Sequence, residues 1–438
     1  MLNRWAGNSS ANSLPTANLE ALFYADTGVT TASGVSSVWA DQSGLGHNFL
    51  QGTGANQPIY LPYSGEKYSY HPGIVGDNFS TPSSSSANLS NNADIVVDCY
   101  DAQWGAATYR ALLGKESSAD RDWSLVLVNG QITLYIFDTS GSFKLFATND
   151  IGGGTSRRWY RARLTWVTGG VSSCSFYKST DGNTWVFVQT VTLSTPLAQR
   201  NGSVNLLVGQ RGYAGSELPF SGYIYRAKIY NGFLDAGGTV VVDFDPASYS
   251  TGSSWVSTTG ETWTINNAAS APTPAQIVDK ASLLLNGSSH FMQTAAFTLN
   301  QPATVYLVGA QITWTLNHEL LDGIGGRMAI YQSPTSGKEA LYAGSAGPSV
   351  ANDVATPPSY SVLTSVFNGA SSSISRNDGT AVTGDAGAGN PGGLTLGALA
   401  GGTANGNFQI LALVAYSAAH DSATQTRVYN FLKAKYGL

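Results

Sequence analysis

Trp39-Ala-Asp41-Gln-Ser-Gly44-Leu-Gly46-His47-Asn48-Phe49, followed by Gln57-Pro58-Ile59-Tyr60, has a second copy in this chain. That copy reads Trp255-Val-Ser-Thr-Thr-Gly260-Glu261-Thr-Trp263-Thr-Ile265, followed by Pro274-Ala-Gln-Ile277. In both, Trp to Gly spans five residues, Gly to a later apolar residue (Phe49, Ile265) five, and Gly to Pro fourteen, with the copies 216 residues apart. Three matched spacings at that separation indicate a tandem duplication. The period is too long for a solenoid repeat, so each copy marks a whole domain.

The 438 residues suit two cores better than one. Charged residues make up only 11% of the chain, and 50 Gly with many Ser, Thr and Asn replace them. With 22 Tyr, 16 Phe and 10 Trp, this composition favours strands and turns over helices. A net charge of −5 argues against sequence-independent nucleic-acid binding, which needs a Lys/Arg field to displace counterions. No apolar run reaches the length of a membrane span, and the opening Met1-Leu-Asn-Arg-Trp-Ala-Gly-Asn-Ser-Ser lacks the apolar stretch of a secretory signal. Cys99 and Cys174 sit in strand-like runs and read as buried free thiols.

Along the chain, residues 1–18 are polar and without periodicity, and read as a segment that docks on a partner protein or along its own domain. A first domain is expected over 19–235 and a second over 236–438. Short β runs fill the first, at 95–100, 109–113, 123–128, 132–137, 143–147, 159–168, 173–178, 185–191, 204–208 and 222–230. Asn129-Gly130 is a hairpin turn, since both residues tolerate positive φ. Ser179-Thr-Asp181-Gly182-Asn183-Thr-Trp185 is a turn closed by the Asp side chain. Asp243-Phe244-Asp245-Pro246 corresponds to Tyr24-Ala25-Asp26, and the run ending at Tyr416 corresponds to the one ending at Tyr230. Asp421-Ser422 predicts a helix over 422–435 with Val428, Phe431, Leu432 and Lys435 on one stripe, ended by Gly437. So many strands without intervening helices predict antiparallel sandwiches.

The signature, the strand runs and the terminal Leu-Lys-Ala-Lys-Tyr-Gly-Leu together resemble the laminin-G-like, concanavalin A-like jelly-roll domains of tailed-bacteriophage virion proteins and some bacterial surface proteins. The segment Ala281-Ser-Leu-Leu-Leu-Asn-Gly-Ser-Ser-His290-Phe, then Gln301-Pro-Ala-Thr-Val-Tyr-Leu-Val, is similar to the opening of such domains. The resemblance implies an all-β protein of two tandem jelly rolls with a short C-terminal helix. It also implies a virion structural protein, a tail fibre or adhesin or a capsid decoration. Such a protein assembles in the host cytoplasm, docks on other virion proteins through its N-terminal segment and adheres to host-surface glycan. A homo-oligomer is compatible with this reading. The alternative is a pair of carbohydrate-binding modules of a bacterial surface or secreted protein, and a third reading is a glycan-degrading enzyme.

The chemistry favours binding over catalysis. A retaining glycosidase needs two close carboxylates, and the nearest pair, Asp243 and Asp245, precedes Pro and reads as a turn cap. The five His are scattered, without metal-ligand spacing. Asp41, Asn48, Asp243 and Asp245 offer oxygen atoms to Ca²⁺ but lack the spaced carboxylates of a calcium loop, so no cofactor is assigned. Glycans are held by aromatic faces on loops. The candidates are Trp104, Tyr213 and Trp314, which lie outside the alternating strand positions.

Overall fold

The computed structural model describes residues 13–149, 151, 156–268, 273–335, 337–351 and 359–438. The chain divides into two compact units, but not at the junction expected from the repeat. One unit joins the chain up to Ser64 to Lys280–Leu438, and the other is the continuous stretch Gly65–Asp279. The boundary expected between 235 and 236 therefore falls inside a unit. A short connection explains why. The strand Ser221–Asn231 turns through Gly232–Gly238, and Thr239–Phe244 folds straight back on it, antiparallel, with Tyr230 opposite Val240. The second signature thus completes the core that precedes it. The first signature completes the C-terminal core, where Leu19–Tyr24 lies along Asn407–Tyr416 in the matching position.

The continuous unit is a sandwich of two antiparallel sheets. The first runs in the order Phe143–Ala147, Gln131–Phe137, Arg121–Val128, Arg110–Glu116, Leu206–Val208, Asn78–Thr81, Thr262–Asn266, Ser254–Val256. The second runs Val186–Ser194, Val171–Ser179, Arg158–Thr165, Asn92–Asp101, Ser221–Asn231, Tyr68–Pro72, Gln276–Val278. Alternation decides which face is core. In Asn92–Asp101, Ala93, Ile95, Val97 and Cys99 point inward. Asp94 and Asp98 lie on the other face, where Arg161 of the neighbouring strand and Arg157 just before it answer them. Both cysteines are free and buried. The expected hairpin closes at Val128 opposite Gln131, with Asn129 at φ 50° and Gly130 at φ 72°. Asp181 accepts from the backbone N–H groups of Asn183 (2.8 Å) and Thr184 (2.7 Å), as the turn reading requires.

The discontinuous unit repeats this order strand for strand. Val35–Trp39, Phe49–Leu50, Met292–Gln293, Leu394–Leu396, Glu319–Gly323, Ala329–Gln332, Lys338–Tyr342 and Ala346–Ala351 pair in succession. Ile59–Leu61, Ser282–Asn286, Asn407–Tyr416, Ala303–Gln311, Ser361–Phe367, Ser372–Arg376 and Val382–Gly384 pair likewise. The signature supplies the end of its core. Trp39 sits opposite Phe49, as Trp255 sits opposite Trp263. Phe23 packs on Trp39 and Phe49 with centroids 5.2 and 4.6 Å away, and Phe244 packs on Trp255 and Trp263 at 5.6 and 4.9 Å.

The helix Ser422–Tyr436 begins at Asp421, whose carboxylate accepts from the Thr424 N–H at 2.8 Å, and ends at Gly437 with φ 62°. Val428, Leu432 and Tyr436 are its buried residues, and Phe431 is partly covered. The helix packs on the outer face of the second sheet, against Tyr306, Val362, Val414 and Tyr416. Lys435 turns outward to Asp26 at 2.8 Å. Of the expected docking segment 1–18, residues 1–12 lie outside the described residues. The remainder runs along its own unit: Pro15 C=O accepts from the Tyr416 hydroxyl, Ser13 C=O accepts from Arg427, and Leu14 joins the cluster beneath the helix.

Candidate ligand-binding basin

The polar residues of the first signature hold its own loop. Asp41 Oδ1 accepts from the N–H groups of Leu22 and Ser43, both at 2.9 Å, and Oδ2 accepts from the Ser43 hydroxyl at 2.7 Å and the His47 N–H at 3.0 Å. Asn48 Oδ1 accepts from the Asp41 N–H. Burial opposes ionisation of Asp41, but these donors outweigh it and hold the carboxyl below the usual range. Asp243 is buried and takes Arg226 in a two-pronged pair at 3.0 and 2.7 Å. Asp245 caps the short turn at Pro246. The oxygens weighed for Ca²⁺ therefore serve local structure. Among the described residues no three His, Cys, Asp or Glu side chains converge as a metal set, and no helix is long and apolar enough to cross a membrane.

A different group of side chains meets in the continuous unit, on the outer face of its first sheet. Leu113, Leu125 and Leu134 point into the core. Gly114, Ser124 and Tyr135 are the neighbouring register positions, so they form a row on the opposite face. Gly114 is needed there. A Cβ at that position would stand 2.7 Å from Arg211 Cβ and 3.0 Å from its Cα, so only glycine lets the 209–220 connection lie flat on the strand. That connection is tied down by Ala111 N–H to Leu218 C=O (2.8 Å), Arg211 N–H to Glu217 C=O (2.9 Å) and Phe220 N–H to Gly209 C=O (2.8 Å).

The result is an open basin of about 270 Å³ lined by Tyr109, Arg121, Tyr135, Phe137, Phe143, Arg211, Ser216 and Leu218. Tyr109 and Phe143 are well exposed, at 47% and 58%, and give the aromatic faces on which a sugar ring can rest. Tyr213 stands at the rim with the Arg121 guanidinium stacked 3.6 Å from its ring centre. Arg121 also lies 5.4 Å from the Phe137 ring. Arg211 is committed: its Nε donates to Ser216 C=O and its Nη2 to the Ser216 hydroxyl, both at 2.6 Å, and Nη1 stands 3.5 Å from buried Glu116. Burial pushes the Glu116 carboxyl up, opposed by Arg211. Tyr135 is pushed up to about 12 by burial and by the neighbouring Tyr109.

The three aromatic candidates do not form one site. Tyr213 belongs to this basin. Trp104 stacks on Tyr160 with centroids 5.7 Å apart and planes 10° apart, partly buried against the same unit's core. Trp314 is half-buried in the other unit, between Ala303–Gln311 and Glu319–Gly323. Sequence reasoning missed Arg121 and Arg211. A signal was present in Arg211-Gly212-Tyr213, a cation beside an aromatic on a glycine loop, and in Gly114 directly after the apolar run Ala111-Leu112-Leu113.

No protein-family model matches the chain, and no curated protein matches it in sequence. Among solved structures it is similar to domains LG4-5 of the mouse laminin alpha1 chain, at 11% identity over 83% of this chain and 93% of that one, with a TM-score of 0.28. It is also similar to the botulinum neurotoxin serotype D binding domain (10%, covering 86% and 80%, TM-score 0.24). A third likeness is to Trypanosoma rangeli sialidase in complex with the inhibitor DANA (12%, covering 68% of each chain, TM-score 0.26). The sandwich of this chain is defined by its own strand pairings.

Proposed function

We propose that this chain is a display protein that holds a glycan in the basin over Gly114 and does no chemistry on it. The convergence of exposed Tyr109 and Phe143 with Tyr135, Tyr213 and two arginines on one rigid sheet carries the reading. Aromatic faces beside fixed polar groups are what a saccharide needs from a binding site. Glu116 is the carboxylate beside Arg211, and a retaining hydrolase would need a second acid about 5 Å away. The finer part of the proposal is the setting, the surface of a bacteriophage particle on tail or capsid, where the chain attaches the particle to host glycan. That part rests on the resemblance read in the signature and the terminal strand. Glycan-array binding of the full chain tests the first part, with Phe143→Ala and Tyr135→Ala expected to abolish the signal. Absence of binding to any saccharide would overturn it. Mass spectrometry and cryo-EM of purified particles test the setting, and absence of the chain from particles would overturn it.

A further inference from the structure

We propose that the basin reads an anionic substituent on its saccharide, a carboxylate, sulfate or phosphate ester, and that Arg121 is the residue that holds it. This rests on the glycan-binding reading of the same basin.

Arg121 differs from the arginines whose donors are already taken. Arg157, Arg161, Arg226 and Arg327 each pair with a carboxylate, and Arg211 is bound to Ser216. Arg121 makes no side-chain hydrogen bond or ion pair among the described residues; its contacts are the faces of Tyr213 and Phe137. Stacking fixes the plane of the guanidinium and leaves its donor edge unoccupied. A preordered fork of N–H groups beside an open basin is the geometry that takes a planar carboxylate or a tetrahedral oxyanion in two-pronged fashion. The nearby acid, Glu116, is buried and takes its ion pair from Arg211 at 3.5 Å; Arg121 acts on it through charge alone, with no hydrogen bond or ion pair between them. The basin thus gathers two arginines in a chain whose formal charge is −5.

The other unit supplies an internal contrast. There Arg327 lies 5.0 Å from the Tyr342 ring, but its donor edge is already occupied by Glu319 Oε1 (2.8 Å) and Asp322 Oδ2 (2.7 Å). Arg327 is thus not available to a ligand anion as Arg121 is.

The test is a glycan array carrying neutral, sialylated, uronate and sulfated saccharides, followed by calorimetric titration of the full chain. The titrants are sialyllactose, a heparin-derived tetrasaccharide, lactose and sodium sulfate. Binding of at least one acidic saccharide, weakened by added salt, is expected. Arg121→Gln should lower its affinity by about tenfold to a hundredfold, Arg121→Lys by less, with the melting temperature unchanged in both. Lys338→Gln, an exposed cation of the other unit, should have no effect. Binding of neutral saccharides alone, untouched by Arg121→Gln, would overturn the anion proposal and leave the glycan reading standing. Sulfate binding as tightly as the tetrasaccharide, or no binding at all, would overturn both. An equal loss in Lys338→Gln would reduce the effect to general charge attraction and overturn the role of Arg121.

Discussion

Replacing Trp39 by Ala tests whether each signature completes the core described above. Trp39 is fully buried, its ring 5.2 Å from Phe23 and 6.1 Å from Phe49, and its Nε1–H donates to Tyr24 C=O at 3.0 Å. Removing a buried Trp costs about 3–5 kcal/mol through lost burial and the cavity left behind. For a unit of this size each kcal/mol lowers the melting temperature by about 2–4 °C, so a drop of roughly 6–20 °C is expected. The informative assay is where stability is lost. Hydrogen exchange should lose protection at Ala303–Gln311 and Asn407–Tyr416, the core that Trp39 closes in this fold. Asn92–Asp101 and Ser221–Asn231 should keep theirs. Trp263→Ala should give the reverse pattern, because Trp263 is fully buried in the other core and donates to Asp243 C=O at 3.1 Å. Loss of protection in Asn92–Asp101 after Trp39→Ala, with Asn407–Tyr416 unchanged, would refute the exchange of signatures.

Asp41→Asn should destabilise the discontinuous unit by about 1–3 kcal/mol at neutral pH, since an amide nitrogen cannot accept from Ser43 and His47. The folded-state pKa of Asp41 is depressed, so its contribution is present above the ordinary carboxylate range and is lost as pH falls through the folded value. Chemical denaturation of wild type and variant should therefore converge in strong acid. Gly130→Ala should cost about 1 kcal/mol in the same assay, because φ at that position is 72°. Tyr213→Ala should weaken saccharide binding with little change in melting temperature, since it removes the face on which Arg121 is stacked.

The two-sheet architecture was legible because alternation and turn chemistry are local. Asn129-Gly130, Asp181 and the Asp421 and Gly437 ends of the helix each act through their own few residues. The pairing of signatures with cores was not legible. Both copies offer equivalent strands to equivalent edges, and what separates them is the connection at Gly232–Gly238, which returns Thr239–Phe244 at once to the strand just left. The same limit hid the basin. Arg121 and Arg211 lie 90 positions apart in sequence, and only strand register and the flat approach at Gly114 bring them to one face. Aromatic residues in loops could be picked out, but Trp104 shows that such a residue can close the side of a core instead.

Register also shows how two like sandwiches acquired unlike surfaces. Gly114 pairs with Leu207, one residue before the partner of Phe79, and Asp322 pairs with Thr395, one residue before the partner of Met292. The two positions are therefore equivalent, as are Tyr135 and Tyr342, which sit opposite Ser124 and Ala329. Where the residue is Gly, a loop lies flat and delivers Arg211 beside Glu116, leaving Arg121 unclaimed. Where it is Asp, the carboxylate takes Arg327 for itself, 2.7 Å away. Gly114→Asp should accordingly lift the loop, present a carboxylate to the basin arginines and abolish acidic-saccharide binding. Retained affinity in that variant would mean that the basin does not depend on the close approach at Gly114.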